Sequence, residues 1–113
     1  MKLINQRNGD IIADRIEIAN GFLTRLAGLM GRTGMPENSA LVLNPCSSIH
    51  TFFMRFCIDA VFLDGQGEVV HMIAEMPTYG ISPMVKKAKM VIELPGGTAK
   101  NRVYPGDILK IER

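Results

Sequence analysis

The residues able to do chemistry crowd between Cys46 and Asp64, CSSIHTFFMRFCIDAVFLD. This is the most apolar long run of the chain. It holds one of the two histidines (His50), both cysteines (Cys46 and Cys57), and a closely spaced Arg55 and Asp59. Imidazole, thioether and thiolate together suit a soft metal such as Cu(I) or zinc. On a strand, however, His50 and Met54 would stand about 13 Å apart. CxxC, HxH and HExxH patterns are absent. No metal and no cofactor are therefore expected, and the eight methionines read as fillers of irregular core gaps.

Nucleophilic catalysis would pair a Cys46 or Cys57 thiolate with His50 or His71 as base. Cys57 lies between Phe56 and Ile58 and reads as buried and inert; Cys46, beside Ser47 and Ser48, reads as exposed. No nucleophile elbow or triad order accompanies them. A Cys46–Cys57 bridge is not expected in a reducing compartment.

A third chemistry is polar recognition. Glu93 is a carboxylate inside the apolar run Val91-Ile92-Glu93-Leu94. Pointing inward, it needs a partner, because an unpaired buried charge is costly. Arg55 offers a fork that matches a carboxylate, so one expectation is a structural Arg55–Glu93 ion pair pinning the central bend to a C-terminal strand. The sharper expectation is a ligand site at the mouth of a pocket, made by His50, Thr51, Arg55, Asp59 and Glu93.

These residues need a scaffold, and its signals are mostly those of strands. Alternation predicts strands over Ile49–Met54 and Ala60–Leu63 with a bend at Arg55–Asp59; His50, Phe52 and Met54 would share one face and Ile49, Thr51 and Phe53 the other. Upstream, Leu3-Ile4, the tight-turn pair Asn8-Gly9 and a strand over Ile11–Ile18 predict an opening hairpin. Asn20 reads as a helix N-cap, and Phe22, Leu26, Leu29 and Met30 mark one helical face, limited by Gly28 and Gly31. Ala40–Asn44 is a short strand closed by Pro45. Asp64-Gly65-Gln66-Gly67 is a hairpin loop leading to a strand over Glu68–Met76, apolar enough to be buried on both faces in part.

The longest loop, Pro77–Lys87, carries Tyr79, Ile81, Met84 and Val85 as a candidate interaction patch. Strands over Ala88–Leu94 and Ile108–Ile111 follow, with turns at Pro95-Gly96-Gly97 and Pro105-Gly106-Asp107. Gly96-Gly97-Thr98-Ala99-Lys100 lacks the spacing of a phosphate loop and reads as a turn. Many short strands at this spacing predict a mainly β chain: a β-sandwich or jelly-roll-like barrel with one short covering α-helix, residues 1–113 forming a single domain.

The segment PCSSIHTFFMRFCIDAVFLD (Pro45 to Asp64), preceded by GLMGR (Gly28 to Arg32) and followed by IELPGG (Ile92 to Gly97) and PGD (Pro105 to Asp107), resembles the domain-of-unknown-function 192 family over nearly the whole chain. Family members tend to carry proline where this chain has Cys57. The resemblance implies a compact β-rich sandwich with a short helix, and it implies no activity.

Composition narrows the function classes. A hydrophobic share of 47% and a charged share of 21% fit a globular chain. A net charge of +2 and a pI near 8.7 are too mild for a nucleic-acid binder, and Lys86, Lys87 and Lys89 form only a small solvated cluster. The N-terminus MKLINQRNGD has no apolar leader core and no window has the length of a membrane span, so the cytoplasm is expected and a membrane is not. The leading expectation is a non-catalytic small-ligand binding module. Its rivals are a small enzyme using His50 as acid/base, and a protein that works through a partner chain or its own oligomer.

Overall fold

The structure, a computed structural model, describes residues 1–21, 29, 31–52 and 54–113. Among these residues the chain is all β. Eight strands run β1 (Lys2–Asn5), β2 (Asp10–Ala13), β3 (Arg15–Ala19), β4 (Ser39–Leu43), β5 (Ile58–Leu63), β6 (Val69–Met76), β7 (Met90–Pro95) and β8 (Leu109–Glu112). They form a three-stranded sheet in the order β2-β1-β8 and a five-stranded sheet in the order β3-β4-β7-β5-β6. Most of the helix expected from Asn20 to Gly31, residues 22–28 and 30, falls outside the described residues.

Pairing is antiparallel except between β3 and β4, which run parallel. A parallel pair needs a long crossover, and residues 20–38 supply it. The opening hairpin forms as expected, β1 against β2 around Asn8-Gly9. The strand expected over Ile11–Ile18 is instead broken at Asp14, where the amides of Asp14 and Arg15 both donate to Asn38 O, at 2.9 and 3.0 Å. The chain changes sheet there, so Ile12 is buried in one layer while Ile18 is exposed on the outer edge of the other.

Two apolar clusters explain why β4, β5 and β7 show no polar alternation. One lies between the sheets: Leu3, Ile12 and Leu109 meet Val42, Val61, Ile92 and Leu94. The other lies on the far face of the large sheet, where Leu41, Ala60, Phe62 and Val91 are covered by Leu29, Ile49, Met54 and Ala88. A sheet buried on both faces reads as a continuous apolar run rather than an alternating one.

That second cover overturns two expectations. Residues 49–52 and 54 are not in a strand; a single bridge, His50 to Ile81, is their only sheet-like pairing among the described residues. Ile49 and Met54 are apolar because they roof the sheet. β6, expected to be buried on both faces for part of its length, is instead the edge strand, and most of its interior is half-buried or exposed.

Candidate functional site

The cross-strand register brings Glu17, Leu41, Glu93 and Ala60 into one row across β3, β4, β7 and β5. Glu93 is central in that row, on the roofed face, flanked by Leu41 and Ala60. It is 2% exposed, and among the described residues its Oε1 has no hydrogen-bond partner. Burial raises its pKa to about 7, against a smaller opposing pull from the positive charge of Arg32. Arg32 reaches this row from the crossover and pairs with Glu17 at 3.0 Å, both side chains being about half exposed.

A pocket of about 330 Å³ opens beside the row, lined by Arg15, Glu17, Arg32, Met35, Pro36 and Leu41 among others. Leu41 is the direct cross-strand neighbour of Glu93. Arg15 and Glu17 stand on β3, with β4 between them and Glu93, and Glu93 itself is not among the residues that line the pocket.

The other expected site residues are placed differently. Asp59 and Glu93 lie on opposite faces of the large sheet: Asp59 follows Val61 and Leu63 toward the small sheet, while Ala60, the cross-strand partner of Glu93, faces the roof. Asp59 is buried, and its carboxylate accepts three backbone amides, Glu75 N at 2.8 Å, Gly97 N at 3.0 Å and Ala99 N at 2.7 Å. It ties the β6 bulge to the turn after β7, which is a structural task. The expected Arg55–Glu93 ion pair is absent, because Arg55 follows the roof segment outward and is exposed.

Thr51 is fully buried and stitches the roof to the long loop. Its Oγ1 donates to Pro77 O at 2.6 Å and accepts from Gly80 N at 2.7 Å. Replacing it with valine keeps the volume and removes both bonds. We expect Thr51→Val to lower stability by about 2 kcal/mol, the cost of orphaning two part-buried backbone groups. Thermal denaturation should show the loss, and amide exchange at Gly80 should rise; unchanged exchange would contradict the stitch.

His50 is half-buried, with Nδ1 accepting Phe52 N at 3.2 Å and its ring 5.3 Å from that of Phe52. Its neutral form therefore carries the proton on Nε2. His71 sits on the edge strand, edge-on to Phe62 at 5.3 Å. The burial expected for Cys57 is overturned, since Cys57 is exposed; Cys46 is half-buried, and neither is in a disulfide. Cys57 leans on the turn after β7, where a Cβ on Gly96 would stand 2.6 Å from its sulfur. Among the described residues no cluster of three or more His, Cys, Asp or Glu could hold a metal ion.

Sequence reasoning missed Arg32 and Glu17. The available signal was the GLMGR stretch, which ends on Arg32. The PGD stretch is structural: burial pushes the Asp107 carboxyl up, but Arg7, Asn5 and the Tyr104 amide outweigh it and hold it below the usual range.

Comparison with known proteins places this architecture. Residues 3–111 match the DUF192 family, described as an uncharacterised ACR. A UPF0127 protein of Thermococcus sibiricus is 39% identical over 103 aligned positions, with 84% of this chain and 64% of that protein's length covered. A UPF0127 protein of Pyrococcus abyssi is 33% identical over 97% of this chain and 90% of its own. Among solved structures, a Novosphingobium aromaticivorans protein of unknown function superposes with a TM-score of 0.84 at 20% identity, covering 97% of this chain and 82% of that one. A Sinorhizobium meliloti protein, named as a candidate transcription regulator, gives 0.81 at 24% identity over 96% and 89%. At those identities the two structures speak for the fold alone.

Proposed function

We propose that this chain, which belongs to the DUF192 family, is a small-ligand binding module whose site is the Glu93–Arg32 row rather than the central bend. The observation that carries the reading is Glu93 Oε1, buried and without a partner among the described residues. Of the five residues expected to bind, Thr51 and Asp59 spend their polar atoms on the fold, and Arg55 faces solvent. Glu93 alone holds a buried polar atom in reserve.

An unsatisfied buried carboxyl costs about 1–3 kcal/mol or more, which a purely structural strand position would not retain. A ligand that donates a hydrogen bond to it recovers that cost. Arg15 and Arg32 in the adjoining pocket suit an anionic end, and Met35, Pro36 and Leu41 an apolar middle. The ligand class is therefore a small molecule with an amine or amide donor at one end and a carboxylate at the other.

The test is a thermal-shift screen of amino acids, aliphatic amines and short carboxylates, with Glu93→Gln and Arg32→Met alongside. A binder at 100 times its dissociation constant adds about 2.7 kcal/mol, on the order of 10 °C for a domain this size. The expected result is a shift with an amino-acid-like probe that is lost in Glu93→Gln and weakened in Arg32→Met. Silence across the panel, or a shift indifferent to both substitutions, overturns the reading.

A further inference from the structure

Loop 77–89 and the roof segment 45–58 build one face that the Glu93 pocket does not use. Among the described residues its large exposed apolar side chains are Tyr79, Ile81 and Met84, at 65%, 70% and 72% exposure. No other large apolar side chain among the described residues exceeds 47%. They fall within six positions of one another, which is a patch rather than scatter.

Charge on this face is one-sided. Residues 45–58 and 76–92 contain no Asp or Glu, and they carry Arg55, Lys86, Lys87 and Lys89, all exposed. The whole chain is +2 and these segments are +4, so the remainder is −2. Three acidic residues adjoin these segments in sequence: Asp59 and Glu93 are buried, and Glu75 is exposed at the β6 bulge.

The face is also pre-formed. Thr51 N donates to Gly80 O, Tyr79 N to Thr51 O, Ser82 N to Ile49 O and Val85 N to Ser47 O, all at 2.9–3.0 Å. The backbone of Tyr79 is held at φ 58°, a region non-glycine residues enter at a cost, by its bond to the buried Thr51. The phenol rests against Phe52, ring centres 6.5 Å apart. Little ordering remains to be done when this surface meets a partner.

We propose that this face docks on the headgroup surface of an anionic lipid bilayer. Aliphatic tips such as Ile81 and Met84 gain only where an apolar phase receives them, and a nucleic acid backbone offers none. Lysines beside such tips match a diffuse negative surface, and tyrosine suits the headgroup level. No helix among the described residues is long and apolar enough to cross a membrane. That bears on crossing a bilayer and not on resting against one.

The test is sedimentation of the full chain with phosphatidylcholine vesicles, with and without phosphatidylglycerol. Binding is expected only with the anionic lipid, and it should fall with added salt. Lys86→Gln and Lys87→Gln should each weaken it roughly fivefold. The pair Ile81→Asp and Met84→Asp, at exposed positions that leave the fold intact by circular dichroism, should abolish it. Equal binding to neutral vesicles, no binding to either, or wild-type binding by the lysine variants overturns the proposal. So does retention of duplex DNA or an acidic peptide with no retention of vesicles.

Discussion

Asp59→Ala should cost on the order of 4 kcal/mol or more, a large share of the 5–15 kcal/mol that holds a domain this size together. The carboxylate is buried and is the shared acceptor for the amides of Glu75, Gly97 and Ala99. Alanine leaves all three donors without a partner. Two of the segments involved are irregular: the β6 bulge, where Glu75 has φ 48°, and the turn at Gly97, φ 91°. Neither has ladder bonds to fall back on at those amides. The melting temperature should drop by about 20 °C or the variant should fail to fold at 37 °C. Asp59→Asn keeps one acceptor oxygen but turns an N–H₂ toward a donor, so it should lose roughly half as much. Amide exchange at Gly97 and Ala99 should accelerate in both. A loss under about 1 kcal/mol, with those amides still protected, would contradict a knitting role for Asp59.

The second large effect is a fall in stability as pH rises from about 4.5 to 7. The Glu93 carboxyl titrates near 7 when folded and near 4.5 when exposed. Between those values the folded state holds a proton that the unfolded state has released, so the unfolded state binds fewer protons and stability declines with pH. A gap of this size corresponds to about 3 kcal/mol, fully lost once pH passes the folded pKa. Asp10, lowered by its bond to Arg102, and Asp107 act in the opposite sense, their contribution being lost only as pH falls below the ordinary carboxylate range. The stability maximum is therefore expected on the acidic side of neutrality, near pH 5. Urea unfolding at stepped pH values measures this. In Glu93→Gln the decline toward pH 7 should vanish, and at pH 8 the variant should be more stable than the parent. A wild-type curve that is flat or rising from pH 5 to 7 would be inconsistent with a buried, unpartnered Glu93.

How far the sequence could be read follows from what each residue touches. β4, β5 and β7 were legible because burial on both faces leaves an unbroken apolar run between turn residues. The hairpin turns at Asn8-Gly9 and Asp64–Gly67 carry their own chemistry, and they formed where expected. Residues 49–54 misled because roofing a sheet and pairing within one select the same apolar and β-branched side chains. Composition reports burial and does not report the hydrogen-bond partner. Asp59 looked like a site residue because its acceptors' partners are main-chain amides of a bulge and a turn, which have no signature in sequence. Glu93 stood out correctly as a carboxylate in an apolar strand, but its neighbours did not. Arg32 and Glu17 reach it through a parallel β3–β4 pair that no local pattern announces.

The account turns on whether Glu93 is an open carboxyl kept for a ligand. Carbon-13 titration of the glutamate side-chain carboxyls, with Glu93→Gln to assign the resonance, measures this at the atom concerned. The expected midpoint is near 7 in the free protein, shifting down when the strongest amine-bearing probe of the screen is added, because an ammonium beside the carboxylate favours its charged form. A midpoint near 4.5 in the free protein, or one near 7 that no probe of the panel moves, would contradict it.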